Sequence, residues 1–377
     1  MVLTDKIKKV ADELFATSKK IYDNPEIAFE EYRSVEQIEK LIKSHGLPFK
    51  KGIAGLKTAF MSQIGRGKPT IALLCEYDAL PGIGHACGHN LISMMSVGAF
   101  LALKDMDLKG QVLLIGTPGE EGGGGKIKMI EKGIFSKVDA AMMIHPSNKT
   151  LPGKEFLAVD EFKLIFKGKS SHAAAAPEEG INALDACIQT FNNLNALRQH
   201  LTPDVRIHGV IMDGGLKPNI VPDHASAEFL VRCADQKAMP ALIGKFRRCA
   251  ESAASAFEAK IDIEHKMGYK AMKRNMAFEK VFSDNLTSLG IRFDQDTPLM
   301  GAGSSDIGDL SQIIPCIHPT LKICRHPIHT LEFAKATQTE TAKKALLIGA
   351  EALAMTAIAL IRDDDLLSKI KKEFSSL

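Results

Sequence analysis

Residues 85 to 89 read His-Ala-Cys-Gly-His, and the next cluster reads Glu120-Glu121-Gly-Gly-Gly-Gly. A thiolate and an imidazole two residues apart, followed by adjacent carboxylates, supply metal ligands and a spare general base. In an extended segment Cys87 and His89 would point the same way. Adjacent glutamates on an irregular turn can point differently, so one can bind metal while the other handles a proton. The chemistry expected from this set is metal-assisted hydrolysis.

The elements around the clusters read as an alternation. Residues 4 to 22 and 31 to 45 have helical patterns, the second stopped by Gly46. Thr70 to Cys75, Gln111 to Gly116 and Val138 to Ile144 are short apolar runs, as expected of strands buried on both faces. Helices are expected from Leu91 to Leu103 and from Lys126 to Lys132. The predicted fold class is therefore α/β, with a mainly parallel central sheet covered by helices. Asp78 and the His85–His89 cluster follow the first of these strands, Glu120-Glu121 the second and His145 the third. Ligands in such sheets bind beyond the carboxyl ends of the strands, so three strand ends converge on one crevice.

From Phe156 onward the pattern changes. Strands over Val159–Lys167, Arg206–Met212, Ala225–Arg232 and Lys260–Lys266, with helices over Asn182–Gln199 and Lys237–Phe257, predict an inserted α+β domain with an antiparallel sheet. The expected division is 1–156 with 270–377 for the catalytic part and 157–269 for the insert.

Composition excludes several classes. The chain has 377 residues, 45% hydrophobic and 25% charged, with a net charge of +3. That charge is too small for a nucleic-acid surface. The stretch Ala345–Ile361 is apolar but short, carries Glu351 and is flanked by charges, so a buried core helix is expected rather than a membrane span. The N-terminus lacks the apolar core of a secretory signal. Seven scattered cysteines point to reduced thiols in a cytoplasm. Gly119–Lys126 fails as a phosphate loop, because Glu120 stands where the first Gly must be and Ile127 replaces the Ser/Thr. Gly82-Ile-Gly84 fails as a dinucleotide fingerprint, because position 87 is Cys.

Together with Asp78-Ala-Leu-Pro81, Gly168-Lys-Ser-Ser-His172, Gly214–Pro222, Ser305-Asp-Ile-Gly308 and His329-Thr-Leu-Glu-Phe333, these clusters occur in an order that resembles the dinuclear metallo-aminoacylase/carboxypeptidase family. The branch holding auxin-conjugate amidohydrolases, aminobenzoyl-glutamate hydrolase and β-alanyl-lysine dipeptidases is the most similar. The resemblance implies a catalytic α/β domain with an inserted lid that dimerises, giving a homodimer or homotetramer. It implies two divalent ions, Zn or Mn, ligated by Cys87, His89, Glu121, His145 and His329. It implies Glu120 as general base, Asp78 as the orienting group, and His172, Asn219, Arg232 and Gly303 as lid or loop contacts to the substrate. In relatives the lid histidine, here His172, reaches the active site of the partner subunit. The chain departs from the wider family in two places: Glu76-Tyr77-Asp78 stands for His-x-Asp, and Cys87 for a bridging Asp.

The expected activity is hydrolysis of N-acyl or N-aminoacyl amino acids, with a small amide or dipeptide as substrate and neither nucleic acid nor membrane as partner. Two other classes compete: a metal-dependent peptide or amino-acid receptor without catalysis, and a hydrolase using Cys87 as nucleophile. The first leaves an intact Glu120 without purpose, the second the carboxylate pair. His326 competes with His329 as last ligand, and His85 reads as structural. The remaining cysteines carry no signal beyond packing.

Overall fold

The computed structural model describes residues 3–296 and 303–377. It divides into two compact units, residues 3–154, 272–296 and 305–377 in one, and 155–271 with 303–304 in the other. Gly303 and Ser304 group with the insert rather than with the C-terminal third, because Leu157 N–H donates to the Gly303 carbonyl at 2.8 Å and Arg232 reaches Ser304 at 2.7 Å.

The first half of unit 1 runs α1 (Leu3–Tyr22), α2 (Tyr32–Ser44), β1 (Lys50–Lys51), β2 (Phe60–Gly65), β3 (Thr70–Cys75), α3 (His89–Leu103), β4 (Gln111–Gly116), α4 (Gly125–Glu131), β5 (Ala140–Met142) and β6 (His145–Ser147). The insert follows as β7 (Ala158–Lys167), α5 (Ala183–Leu197), β8 (Arg206–Asp213), β9 (His224–Cys233), α6 (Met239–Ala256) and β10 (Lys260–Met267). Unit 1 resumes with α7 (Met276–Ser288), α8 (Ile307–Leu310), β11 (Cys316–Ile317), β12 (Thr320–Lys322), α9 (Leu331–Ala336), α10 (Glu340–Arg362) and α11 (Asp364–Ser376).

The main sheet has the order β1-β2-β4-β3-β5-β11. Strands β4, β3, β5 and β11 are parallel, and β2 joins β4 antiparallel. Every residue of β3 is buried, as its unbroken apolar run requires. Each fully buried Ile or Leu there contributes about 1.5–3 kcal/mol relative to exposure. The chain leaves β3 with β4 on one side and β5 on the other, so the crevice at its carboxyl end is the switch point where such sheets bind ligands.

Helix α3 is buried along its whole length and packs between α1 and α10. Helix α10 is long and apolar enough to cross a membrane by length and composition, but 67% of its apolar window is buried. It packs through residues such as Leu346, Leu353 and Leu360 into the hydrophobic core.

The insert is a four-stranded antiparallel sheet of order β10-β7-β9-β8. One face, including Phe162, Leu164, Phe166 and Phe229, joins Cys187 and Leu194 of α5 and Phe246 of α6 in a separate core. Residues of β8 after Ile207 are exposed, and among the described residues this edge strand pairs with β9 alone.

Candidate metal centre

The ligand loops are shaped by turns rather than by extended chain. Cys87 lies in a turn, Gly88 takes φ +84°, and His89 opens α3. The segment between Cys87 and His89 is therefore not extended. The left-handed step at Gly88 turns the chain between them instead. A Cβ at Gly88 would lie 2.5 Å from the Pro146 ring, so the position accepts only glycine on two counts.

Each histidine has one ring nitrogen committed elsewhere. His89 Nδ1 is 2.9 Å from Asp78 Oδ1, and His145 Nδ1 is 2.6 Å from the Pro146 carbonyl. Protonated Nδ1 in both rings leaves Nε2 as a free lone pair, the arrangement that metal-ligating imidazoles adopt. The other Asp78 oxygen accepts the Glu121 backbone N–H at 2.9 Å, so one carboxylate ties the loop after β3 to the loop after β4. His329 adopts φ +64°, a left-handed conformation rare outside glycine. Its N–H donates to the Ala86 carbonyl at 2.8 Å.

The donor atoms converge. Cys87, His89 and His145 form one group with ligand atoms within 4.8 Å of one another, and Cys87, Glu121 and His329 form a second. The two groups share the Cys87 sulfur, which is 3.3 Å from His145 Nε2. His329 Nε2 is 3.5 Å from Glu121 Oε1. Glu120 joins a third group with His89 and Glu121, its Oε2 3.9 Å from His89 Nε2. The residues present fit metal ions: His89 Nε2 and Glu121 Oε1 are both buried without a hydrogen-bond partner. Native interiors rarely leave such atoms unpaired, and imidazole, thiolate and carboxylate are all donors to divalent metal ions.

The adjacent glutamates are driven apart. Burial, reinforced by Glu76 and Asp306, pushes the Glu120 carboxyl well above its ordinary range. Burial acts on Glu121 too, but the neighbouring imidazoles of His329 and His89 outweigh it and hold Glu121 low. Opposite shifts in neighbouring acids mark a division of labour. Burial also drives the Cys87 thiol up, which a coordinating cation reverses by deprotonating it outright.

Sequence reasoning missed the groups behind this site. Lys126 is buried, with Nζ 2.5 Å from Glu76 Oε1 and 2.5 Å from Asp306 Oδ1. Its backbone N–H also donates to Asp306 Oδ2 at 2.9 Å. Glu76 turns its other oxygen toward His89 Nε2 at 3.7 Å. The available signal was a lysine at the start of a helix directly after four glycines, a position where a solvent-facing charge has little backbone cover.

In the insert, His172 and Asn219 are exposed on two segments bridged antiparallel, Ala173 N–H donating to the Asn219 carbonyl at 3.0 Å. His172 Nδ1 accepts from Ala174 and Ala175 N–H, each at 3.2 Å, which places the ring proton on Nε2. Arg232 sits at the far end of β9, beside Ser304 and opposite Arg206. The ten residues of β9 span roughly 30 Å. Within one insert, His172 with Asn219 and Arg232 with Gly303 are thus held at separate places.

A family model described as the peptidase dimerisation domain matches residues 159–258. The chain is 36% identical to a Mus musculus Xaa-Arg dipeptidase over 98% of its own length and 90% of the relative's. It is 29% identical to a p-aminobenzoyl-glutamate hydrolase polypeptide of Escherichia coli, covering 94% and 90%. A Bacillus subtilis structure, a dinuclear metal-binding peptidase, superposes with a TM-score of 0.77 at 21% identity, covering 94% of this chain and 99% of that one. With a relative this similar spanning nearly its whole length, and an insert matched by the family's dimerisation domain, the chain belongs to the M20 family of metallopeptidases.

Proposed function

We propose that this enzyme hydrolyses the amide bond of dipeptides or N-acyl amino acids carrying a free carboxylate. The observation that carries the reading is the pair of ligand groups sharing Cys87, with Glu120 beside them but in neither. Cys87, His89 and His145 would hold one divalent ion, and Cys87, Glu121 and His329 a second, either zinc or manganese. Such a pair, when bound, supplies Lewis acidity to the scissile carbonyl and acidifies water.

Glu120 takes the proton of the attacking water and returns it to the departing amine nitrogen. Its raised proton affinity suits that double task. Asp78 fixes the His89 ring. His172 offers an Nε2–H suited to a developing oxyanion, and the planar fork of Arg232 suits a substrate carboxylate, with Asn219 and Gly303 completing the contacts. Because His172 and Arg232 are held at opposite ends of β9, one substrate meets both most simply when two copies assemble. The exposed edge of β8, with Val210 56% and Met212 57% exposed, is the surface through which the sheet would continue into a second copy. All seven cysteines are free, which agrees with a cytoplasmic location.

The similarity to an Xaa-Arg dipeptidase directs the first substrates. The test is release of free amino acid from Xaa-Arg and β-alanyl dipeptides, aminobenzoyl-glutamate and N-acetyl amino acids by apo, zinc and manganese forms. Metal-dependent release supports the hydrolase and identifies its substrate class. A fully metallated enzyme inert on every member overturns this choice of substrates and leaves a receptor. Activity that survives chelation with a trapped acyl-thioester would make Cys87 the nucleophile.

A further inference from the structure

The turn between α1 and α2 makes contacts that neither the ligand set nor the proposed mechanism uses. The Glu26 carbonyl accepts the Ala79 N–H at 2.8 Å, directly after Asp78. Glu31 is fully buried, and its Oε1 accepts two backbone donors, Phe29 N–H at 2.9 Å and Gly119 N–H at 2.9 Å. Gly119 immediately precedes Glu120. The second Glu31 oxygen is buried, the Thr58 hydroxyl lies beside the carboxyl, and the two backbone bonds fall on one oxygen.

Phe29 between them is in the left-handed region at φ +67°, a strained conformation for an aromatic residue that persists only where surroundings impose it. Its ring lies against the glycine turn. A Cβ at Gly119, itself at φ +68°, would fall 2.9 Å from the ring, and one at Gly123 would fall 2.7 Å from it. On the other side Lys128 Nζ lies 3.9 Å from the ring centroid. The ring and the carboxylate therefore grip the Glu120–Glu121 turn from its two flanks.

We propose that Phe29 and Glu31 form a brace that positions Glu120 and Glu121 against the loop carrying Asp78 and Cys87. Neither residue touches substrate or metal; both are positioning residues. Four consecutive glycines after Glu121 leave that turn with little stiffness of its own, and Asp78 pins only the Glu121 N–H. The Lys126 N–H on Asp306 holds the far end of the glycines, and the brace fixes the near end, at the residue before Glu120. This inference rests on the proposed roles of Glu120 and Glu121, so its test reads metal binding as well as turnover.

The experiment compares wild type, Glu31→Ala, Glu31→Gln and Phe29→Ala as full-length chains. Zinc affinity is measured by competition with a chromogenic chelator, and kcat and KM are measured on the best substrate of the panel. Removing the support of a ligand loop typically costs about 10–100-fold in metal affinity or activity. Glu31→Ala is expected to lose that much in kcat and in affinity for the more weakly held ion, with KM nearly unchanged. Glu31→Gln keeps the accepting oxygen and is expected to restore most of the loss. Phe29→Ala is expected to fall between them. If Glu31→Ala does not fold, Glu31→Gln and Phe29→Ala still decide. Wild-type kcat and zinc affinity in Phe29→Ala, or a Gln variant as poor as the Ala variant, would overturn the brace. Should the wild type itself be inert, the functional reading fails, while the zinc affinities still decide the brace.

Discussion

Two turns in this chain carry candidate catalytic groups and are held in opposite ways. In the loop after β3, His89 and Asp78 are buried to within 1%. The His89 ring, the Asp78 carboxylate and the Glu121 backbone form one chain of hydrogen bonds. The turn around His172 is exposed, and its ring accepts from the backbone of its own turn. The first is preorganised by neighbours within its own unit, as a site requiring fixed metal–metal geometry must be. The second has its tautomer set by local backbone and is otherwise exposed. The same contrast appears in the strands: β3 is buried on both faces, whereas β8 is an open edge with apolar residues exposed, the usual mark of a strand awaiting a partner.

The strongest way to break this contrast is Glu120→Gln. A positioned general base contributes about 10²–10⁴-fold, and in a preorganised site the loss is expected near the upper end. Metal content should be unchanged, because Glu120 stands outside both groups that share Cys87. Turnover retained, or zinc lost, would remove Glu120 from the role of base.

Asp78→Asn tests the shell rather than the chemistry. The amide can keep one acceptor, toward either His89 or the Glu121 N–H, and then presents a donor to the other. Metal affinity is expected to fall about 10–100-fold, with His89 free to take the wrong tautomer. Metal affinity within twofold of wild type would show that the ring is fixed by packing alone.

The insert should respond differently. Val210→Glu with Met212→Glu places charge on the β8 edge, at side chains already exposed. Folding midpoint is expected to stay within a few degrees while the dimer constant, read by sedimentation, weakens by about tenfold or more, equivalent to about 1.4 kcal/mol. If activity depends on two copies, it should fall with dilution in the variant before it does in wild type. A variant that remains dimeric would place the interface elsewhere.

The legibility of the sequence follows the same division. The apolar runs of β3 and β4 and the ligand clusters were readable because each depends on local pattern or residue type. The turn geometry at Gly88 was not, since i, i+2 spacing is compatible with both an extended segment and a left-handed reversal. The burial of Glu31, Lys126 and Asp306 was not readable for another reason. Charged residues usually face solvent, and only tertiary contact reveals that these three are buried and bonded. The separation of His172 from Arg232 likewise depends on which end of β9 each occupies, a matter of pairing rather than of spacing.

The smallest expected effect concerns pH, and it sharpens the claim that the first turn is held by buried groups. Burial pushes the Glu31 carboxyl up to about 7 from an ordinary 4.5. Between those values the folded chain binds the proton and the unfolded chain does not. Stability therefore falls as pH rises from 4.5 to 7 and is flat on either side as far as Glu31 is concerned. The slope from one such group is at most about 1.4 kcal/mol per pH unit. Glu31→Gln keeps the acceptor and has no proton to lose. The difference between wild type and Glu31→Gln in urea midpoint, measured across pH 4.5–7.5, isolates the group from every other titration. It should drift in favour of the glutamine variant as pH rises through the window. A difference that is constant across the window would mean that Glu31 titrates like an ordinary surface acid, and that the turn opens to water far more readily than its burial implies.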